Sequence, residues 1–437
     1  MQASRPTSPL PSPLAAAEAL DAAGLVALRV FGGVGVVLLA AGLLIGWQPL
    51  TGFLDAPKHF PYRGLEWIRA LPPWGMRGMA AAMGVAGAAM IAGLFYRLAT
   101  ATAALLVAYV FFLDVVYYDA VTFLGILLLV LLAAAPAHVI ASLDAARGKV
   151  ACRGLRASVA LFRFQVGSVY VFAGVAKLHR GWVGGGTLHA MLTGYPPARW
   201  LAGVVTPHTV FVTLSWLGLL FDLGIVPLLM WRRTRTVAFV VLVAFHLHNA
   251  LTMQVGAVPW IMVGASTVFL PSDWPRRLGL RLPATPTCVA DAAWMRPAAI
   301  AWIAVVALAL PLRRWIMPGE VAFHGFGYDF TWALRSRARD CGAYLVVVDR
   351  ATNEPTIRGI EPGLRADLRG RVWCDPYSIW RSAQDAGRGR DVAVHATAYA
   401  SLDDRRPALM IDPDADLTRE TFPLFWPPRW VRLHEVP

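Results

Sequence analysis

Long apolar runs recur along the chain as far as residue 310 and limit its fold more than any other feature. Each run reaches or approaches the roughly 20 residues that a helix needs to cross a bilayer. They lie at Ala23–Trp47, Met76–Phe95, Leu98–Tyr118, Val121–Leu143, Val159–Leu178, Thr209–Trp231, Thr236–Thr252, Ala257–Leu270 and Trp294–Leu310. A composition that is 57% hydrophobic agrees with them. The sequence therefore predicts a polytopic α-helical membrane protein with about nine transmembrane helices, of which the eighth is the shortest.

The net charge of +13 is carried almost entirely by arginine. These arginines lie mostly in short loops between the apolar runs, and no nucleic-acid-binding motif accompanies them. We therefore expect contact with a lipid membrane and no nucleic-acid partner. Lys and Arg are more frequent in the loops on the side of the N-terminus, as at Arg147, Arg153 and Arg156. By the positive-inside rule the N-terminus is then cytoplasmic and the C-terminus lies outside. The C-terminus would lie inside if the short eighth run did not cross.

Composition divides the chain into three parts. Residues 1–22 are rich in Pro, Ser and Ala and lack the basic start and continuous apolar stretch of a signal peptide, so we expect a disordered lead. Residues 23–317 form the predicted transmembrane domain. Residues 318–437 contain no lysine, many arginines and aspartates, and short alternating apolar runs. They predict a soluble extracytoplasmic domain that is mostly β-structure.

The C-terminal part contains recognisable local elements. Its expected strands, the first two joined as a hairpin by a polar turn, are Ala343–Val348, Thr356–Gly359 and Asp391–Thr397. A short helix is expected around Asp375 to Ala386. The four cysteines show no metal-ligand spacing, and we expect no bound metal. Outside the cytoplasm Cys341 and Cys374 could form a disulfide, which the sequence leaves open.

The fifth apolar run, Val159–Leu178, carries a lysine near its end. A charged side chain close to hydrocarbon is costly, so it is either an anchor that reaches the interface or a functional group. The chain has only the lysines Lys58, Lys149 and Lys177 and uses arginine almost everywhere else. Arginine stays protonated in proteins, whereas a desolvated lysine can lose its proton. Lys177 is thus a candidate general base, and the anchoring role is equally open.

Helical spacing places Arg163, Tyr170, Gly174 and Lys177 on one face of this run. Glycine on that face leaves room for a flat molecule beside a phenol and an amine, although close packing against another helix is an equally good explanation. Asp222 lies deep in the sixth run, whereas Lys177 is expected at the outer end of the fifth. We therefore expect Asp222 to form a structural ion pair with Arg163, which lies at the inner end.

Other polar side chains are expected near the outer surface. His246 and Asn249 share one face at the end of the seventh run, where they could meet Lys177 at the same depth. Two hydrogen-bonded interfacial side chains are the simpler explanation. Asp114, near the end of the third run, also lies close to this surface. A metal site would need further ligands at suitable spacing.

The residues around Lys177 resemble those of a known family. Tyr170–Leu178 followed by Trp182 is similar to the signature of vitamin K-dependent γ-carboxylases and of their bacterial relatives with a horizontally transferred transmembrane (HTTM) domain. Further similar segments follow in the same order along most of the chain, at Gly93–Arg97, Tyr109–Asp114, Ser142–Asp144, Asp222–Leu223, Phe245–Asn249, Asp273–Arg277, Gly327–Trp332 and Asp412–Asp416. Their order and spacing together are more specific than any single segment.

The resemblance implies a particular chemistry. In that family a lysine at the position of Lys177 deprotonates a membrane-borne vitamin K hydroquinone, which reacts with O2 and becomes a strongly basic alkoxide. This base removes a γ-proton from a glutamate side chain, CO2 adds to the carbanion, and the quinone leaves as its epoxide. The expected cofactors are therefore reduced vitamin K (menaquinol or another naphthohydroquinone), O2 and CO2, without a metal. The expected substrate is a Glu-containing peptide or protein, and the expected location is the bacterial cytoplasmic membrane.

The expected site has Lys177 as its catalytic base, and the expected quinone- and substrate-binding residues are Tyr170, Gly174, Asp114, His246, Asn249 and Trp332. The chain departs from the family at Asp119-Ala120, where the family has Asn-His, and at Asp375, where it has His. These differences concern carboxylation more than quinone oxygenation. A quinone epoxidase without carboxylation and a non-catalytic membrane scaffold or binding protein are the alternatives.

Overall fold

A computed structural model describes residues 20–434 apart from 48–49, 149, 193–199, 201–203, 254, 290–292, 362–363, 365 and 404. Within these residues seven helices are long and apolar enough to cross a membrane. They are α1 (Ala23–Ile45), α2 (Pro73–Ala92), α3 (Tyr96–Leu113), α5 (Leu155–Ala176), α6 (Pro207–Met230), α7 (Arg235–Thr252) and α9 (Met295–Trp315). Two shorter apolar helices are α4 (Ala120–Ala134) and α8 (Val258–Phe269). Every predicted run overlaps one of these helices, and the predicted fold class is confirmed.

The fourth run departs from its prediction. The sequence predicts a helix as far as Leu143, whereas α4 ends at Ala134. Pro136 explains the difference, because a proline disfavours helical geometry in the residue before it, and Ala135 is extended with a ψ of 150°. The helix is thus about 22 Å long. This is less than the roughly 30 Å of a bilayer core.

Of the predicted lead, 1–22, only residues 20–22 belong to the described part of the chain. The Asp21 carboxylate accepts a hydrogen bond of 2.7 Å from Arg276 Nε, and Ala22 is fully buried. These last residues before α1 therefore pack against the membrane part.

Close packing and capping fix the first helices. Gly33 of α1 faces Gly87 of α2, and a Cβ at Gly33 would lie 2.9 Å from the Gly87 carbonyl oxygen. Small residues of this kind let two membrane helices approach closely. The start of α3 is held by Asp144, whose carboxylate accepts hydrogen bonds of 2.9 Å from the backbone N–H groups of Phe95 and Tyr96.

The chain after the membrane part forms a small domain around one antiparallel sheet. Its strands are β1 (Arg339–Asp349), β2 (Pro355–Gly359), β3 (Val392–Leu402) and β4 (Ala408–Leu409). They lie in the order β2-β1-β3-β4. The hairpin of β1 and β2 and the third strand agree with the sequence prediction, although β1 and β3 are both longer than predicted.

Two helices accompany this sheet, α10 (Ala366–Trp373) and α11 (Pro376–Gly387). The second is the helix predicted around Asp375 to Ala386, and Asp375 caps it by accepting hydrogen bonds from two backbone N–H groups of its first turn. Cys341 on β1 and Cys374 after α10 form the disulfide that the sequence leaves open, with a Cα separation of 5.3 Å. The domain is therefore crosslinked between its sheet and its helices.

Short helices connect these elements, at Leu143–Arg147, Arg180–Val183, Gly186–Met191, Trp274–Arg277 and Val321–His324. The C-terminal domain rests on the loop between α1 and α2 through charged and polar contacts. Lys58 Nζ lies 2.6 Å from Glu361 and 2.8 Å from Asp385. The Tyr377 hydroxyl donates a hydrogen bond of 2.6 Å to Glu66. The domain thus has a fixed position on the face of the membrane part where α5 ends.

A second disulfide joins Cys152 to Cys288 at the opposite face. Cys152 precedes α5, whose other end carries Lys177 after a helix about 33 Å long. The two disulfides therefore lie on opposite sides of the membrane part.

Candidate active site

A cavity of about 320 Å³ lies among α5, α6, α7 and α8, beside the C-terminal domain. Its wall is mainly apolar and includes Val169, Ala173, Leu188, Leu214, Leu217 and Met262. Polar groups reach it from the helices at Lys177, Asp222, His246 and Asn249, and the C-terminal domain adds Leu334 and Arg335. An apolar space with a few converging polar groups is typical of a small-molecule site.

Lys177 ends α5 and is only 7% exposed. Its ammonium donates a hydrogen bond to Asp222 Oδ2, and the two side chains form a buried ion pair. Its Nζ also lies 5.0 Å from the centroid of the Trp182 ring. The Asp222 carboxylate and the Trp182 ring together hold the amine inside the cavity. Lys177 is therefore not an anchor that reaches out to water.

The predicted ion pair between Arg163 and Asp222 is wrong. Asp222 pairs with Lys177, and Arg163 Nε donates a hydrogen bond of 2.9 Å to the Val268 carbonyl oxygen. The prediction assumed that the outer ends of α5 and α6 lie at one level. Along α6, Asp222 is about 22 Å from the first residue of the helix, so that assumption placed it far below Lys177.

The chain that follows Lys177 explains this depth. Its short helices Arg180–Val183 and Gly186–Met191 pack against the outer turns of α6. Trp182 Nε1, for example, donates a hydrogen bond of 2.9 Å to the Ser215 carbonyl oxygen. These helices occupy the level between Lys177 and the outer end of α6. Lys177 consequently lies as deep as Asp222.

Gly174 does not line the cavity. A Cβ at this position would lie 2.6 Å from Leu223 Cδ2 and 3.2 Å from Asp222 Cβ. The absence of a side chain therefore lets α5 and α6 approach closely, as small residues do between membrane helices. Gly174 acts on the site indirectly, because this approach brings Asp222 to Lys177.

Tyr170 and His246 form a buried pair in the cavity wall. The Tyr170 hydroxyl lies 2.8 Å from His246 Nε2 and 3.2 Å from Ser266 Oγ. His246 is 5% exposed, and its Nδ1 has no hydrogen-bond partner among the described residues. A buried ring nitrogen without a partner is uncommon because burial of an unpaired polar atom is costly. His246 can therefore bond to a molecule in the cavity.

Asn249 lines the same cavity one turn after His246, as the sequence predicts. The C-terminal domain approaches through Arg335, whose Nη2 lies 3.5 Å from the Met253 carbonyl oxygen at the end of α7. Arg335 has a positive φ of 48°, and Phe330 and Trp332 just before it also have positive φ angles of 63° and 55°. Backbone strain of this kind concentrates at ligand sites.

Asp114 and Trp332 lie outside the cavity wall. The Asp114 carboxylate lies 3.1 Å from His59 Nδ1 and accepts a hydrogen bond of 3.0 Å from the Val116 N–H. Trp332 is 2% exposed and stacks on Phe123 with ring centroids 5.6 Å apart. Trp332 thus belongs to the contact between the C-terminal domain and the membrane part, whereas Asp114 bonds within the membrane part.

Sequence reasoning missed Asp222 as the partner of Lys177 and Trp182 as its aromatic neighbour. Trp182 could have been found, because it is part of the segment by which the chain resembles the carboxylases. Asp222 also belongs to a similar segment, but its pairing with Lys177 could not be found, because its depth relative to Lys177 depends on the short helices after Lys177. No three His, Cys, Asp or Glu side chains among the residues with a described position could hold a metal ion together.

Two titratable groups lie where the C-terminal domain meets the membrane part. His179 Nε2 lies 2.8 Å from the Ser336 carbonyl oxygen, and burial followed by the charge of Arg337 lowers the pKa of His179. Burial and the neighbouring Asp375 raise the pKa of Asp329 to about 7. Burial thus favours the neutral form of both side chains.

Comparison with protein families accounts for both parts of the chain. Residues 18–274 match the family model described as HTTM domain. Residues 293–435 match the model described as vitamin K-dependent gamma-carboxylase, lumenal domain. No solved structure matches the chain. The chain therefore belongs to the vitamin K-dependent γ-carboxylase family with an HTTM domain.

Proposed function

We propose that the protein oxygenates a reduced naphthoquinone to its epoxide and couples this reaction to carboxylation of glutamate side chains with CO2. One observation carries the proposal. The Lys177 amine lies buried in an apolar cavity, bonded to Asp222 and adjoining the C-terminal domain. An amine in such surroundings can act as a general base, which arginine cannot do.

The residues of the cavity fit a reduced naphthoquinone. The wall is mainly apolar, and one of its members, Phe245, is stacked on Phe221 with ring centroids 3.8 Å apart. Among the described residues His246 Nδ1 has no hydrogen-bond partner, so it can bond to a ring oxygen. When bound, the reduced quinone together with O2 supplies the base that takes the glutamate γ-proton, after which CO2 adds to the same carbon. Such a quinone is lipid-soluble, so a site at membrane depth suits it.

Asp222 gives Lys177 a way to become neutral. A buried ammonium and carboxylate in apolar surroundings can pass one proton between them, because the neutral pair avoids two desolvated charges. The proton then rests on Asp222 Oδ2, and Lys177 Nζ carries a free lone pair. Asp222 thus positions the amine and holds its proton, while Trp182 keeps the amine within the cavity.

The C-terminal domain forms the side of the cavity from which a glutamate side chain enters. Leu334 and Arg335 reach the cavity from this domain, and the Arg335 guanidinium can pair with a carboxylate. The domain and the short helices before α6 cover Lys177, which keeps water from the reacting groups. A Glu-containing peptide or protein would therefore bind where the domain meets the membrane.

We further propose that the protein lies in a bacterial cytoplasmic membrane with its N-terminus in the cytoplasm. The excess of arginine on that side supports this orientation. Lys177 and the C-terminal domain with its disulfide would then face the outside, and the Cys152–Cys288 disulfide would face the cytoplasm.

Epoxidation without carboxylation is the second candidate, and two residues favour it. Asp119 stands where the family has asparagine, and its carboxylate accepts a hydrogen bond of 3.0 Å from the Thr122 N–H as the cap of α4. Asp375 stands where the family has histidine, and it caps α11. Both side chains are engaged in helix capping. The family histidines at these two places correspond to Ala120 and Asp375 here, so neither place supplies an imidazole.

The test measures quinone epoxide in purified membranes given a naphthohydroquinone and O2, with and without a Glu-containing peptide and labelled CO2. The full proposal expects epoxide and label in the peptide. Epoxide without label supports the second candidate. A scaffold yields neither product.

Variants connect these products to Lys177. We expect Lys177→Ala and Lys177→Arg to lose epoxide formation, because neither replacement can accept the proton. Lys58→Arg is the matched control, since Lys58 lies outside the cavity and its ion pairs with Glu361 and Asp385 tolerate arginine. Activity that survived in Lys177→Arg would exclude Lys177 as the base.

A further inference from the structure

Three consecutive apolar side chains project from the C-terminal domain near its end. Leu424, Phe425 and Trp426 are 45%, 71% and 53% exposed. Together with the flanking prolines they form the segment Pro423–Pro428, which we name the aromatic loop. A contiguous exposed patch of this kind marks a surface that contacts a protein or a membrane.

The residues that flank the aromatic loop are packed into the C-terminal domain. Phe422 packs on Phe326 and Trp430, with ring centroids 6.0 Å and 5.6 Å apart. Trp430 is 4% exposed, and Pro428 is buried. Prolines at three of its six positions restrict the backbone. The loop therefore cannot fold its aromatic side chains back into the domain core.

The aromatic loop lies beside the membrane surface. Leu424 packs on Gly64 in the loop between α1 and α2, where an added Cβ would lie 2.8 Å from Leu424 Cδ1. The Arg63 guanidinium lies 5.5 Å from the Phe422 ring centroid. Trp67 soon follows, 73% exposed, and Trp74 in the first turn of α2 is 78% exposed. Tryptophans at the end of a membrane helix mark the level of the lipid headgroups.

We propose that the aromatic loop inserts into the lipid leaflet on the side of the C-terminal domain. Leu424 of the aromatic loop packs on Gly64, in the loop that carries the exposed Trp67 and leads to Trp74, so the same bilayer that surrounds α2 covers the aromatic loop. Aromatic side chains are well suited to this interfacial region. Arg429, which follows the loop and is exposed, can reach lipid phosphates. The contact gives the soluble domain an attachment to the membrane beyond its covalent link to α9.

The test uses a fluorescent label at Phe425→Cys in phospholipid vesicles. All four native cysteines are in disulfides, so this variant offers one free thiol. Lipids brominated near the top of their chains should quench the label roughly twofold, as expected for a group in the interfacial region. Ala351→Cys is the matched control. Ala351 is exposed at the tip of the β1–β2 hairpin, about 33 Å along β1 from the end that meets the membrane part, and its label should stay unquenched.

Other results overturn the proposal. An unquenched label at position 425 would place the aromatic loop in water. A signal that depends on the ratio of protein to lipid, without bromine quenching, would assign it to contact between copies of the chain. Protection that appears only with a Glu-containing peptide would assign it to substrate binding. Equal quenching at position 351 would show nonspecific adsorption of the label.

Discussion

Gly174 and Asp222 touch across two membrane helices: a Cβ on Gly174 would lie 3.2 Å from Asp222 Cβ. The same Cβ would collide with Leu223, at 2.6 Å from its Cδ2. The approach of α5 to α6 therefore depends on this glycine. The ion pair between Lys177 and Asp222 depends in turn on that approach.

We expect Gly174→Ala to destabilise the protein by about 1–3 kcal/mol, the usual cost of overpacking. Gly224→Ala is the matched control, because Gly224 lies on α6 and a Cβ there would meet no atom of the described residues within 4 Å. Alanine should leave the control unchanged or make it more stable by about 0.5–1 kcal/mol. The thermal unfolding midpoints of both variants in detergent provide the measurement. Equal shifts would contradict this account of Gly174.

Removal of one partner from the buried ion pair of Lys177 and Asp222 should strongly destabilise the protein. We expect Asp222→Leu to destabilise the protein by about 3–5 kcal/mol, because it leaves a buried ammonium without a partner. The double variant Lys177→Met with Asp222→Leu should regain most of that stability and still form no epoxide. Chemical unfolding would measure the first effect and the epoxide assay the second.

An exposed ion pair provides the comparison for this prediction. Arg77 and Asp55 lie 2.8 Å apart, with side chains 53% and 55% exposed. We expect Arg77→Met to change the free energy of unfolding by about 0–1 kcal/mol. A similar loss in Arg77→Met and Asp222→Leu would mean that burial of the Lys177 pair contributes nothing.

Asp329 should make stability depend on pH. Burial and Asp375 raise its pKa to about 7 in the folded protein, against 3.8 as the ordinary value. The folded state thus keeps a proton that the unfolded chain releases, so the contribution is complete below about pH 4 and disappears as the pH rises through about 7. We expect the unfolding midpoint to fall across this range, and to fall less in Asp329→Asn.

The pKa of Asp416 is shifted in the opposite direction, so this residue serves as the control. Burial raises its pKa, but hydrogen bonds from Thr418 and Arg350 outweigh burial and hold the pKa at about 2. Its contribution is present above about pH 4 and is lost as the pH falls through about 2. Asp416→Asn should therefore flatten only the acidic side of the profile. If both variants altered the same pH range, the assignment of these groups would be wrong.

The two disulfides allow the orientation to be measured. In intact cells a reductant that cannot cross the membrane should open Cys341–Cys374 and expose both thiols to an impermeant maleimide. Cys152–Cys288 lies on the opposite face and should react only after the cells are permeabilised. Labelling in the reverse order would place the N-terminus outside.

The number and order of the apolar helices could be predicted, because each run is long enough to span or nearly span a bilayer. The β1–β2 hairpin was equally readable from its alternation and polar turn. The end of α4 was missed although Pro136 marks it, because apolar composition continues beyond the proline. In each case the deciding information is local.

The site depended on information that is not local. Helix faces and the resemblance identified four residues of the site, and all four line the cavity. They are Lys177, Tyr170, His246 and Asn249. The partner of Lys177 was misassigned because depth was counted along each helix separately. The chain between α5 and α6 shifts the two helices relative to each other, and no periodicity in α5 or α6 records that shift.

The disulfide between Cys152 and Cys288 makes part of the chain a closed covalent ring. Every described residue that the membrane part contributes to the cavity wall falls between these two cysteines, from Val169 to Val258 and Met262. A single cut of the backbone within this ring would leave both pieces attached to each other. The helices that hold Lys177 and Asp222 are thus joined twice, once through the backbone and once through sulfur.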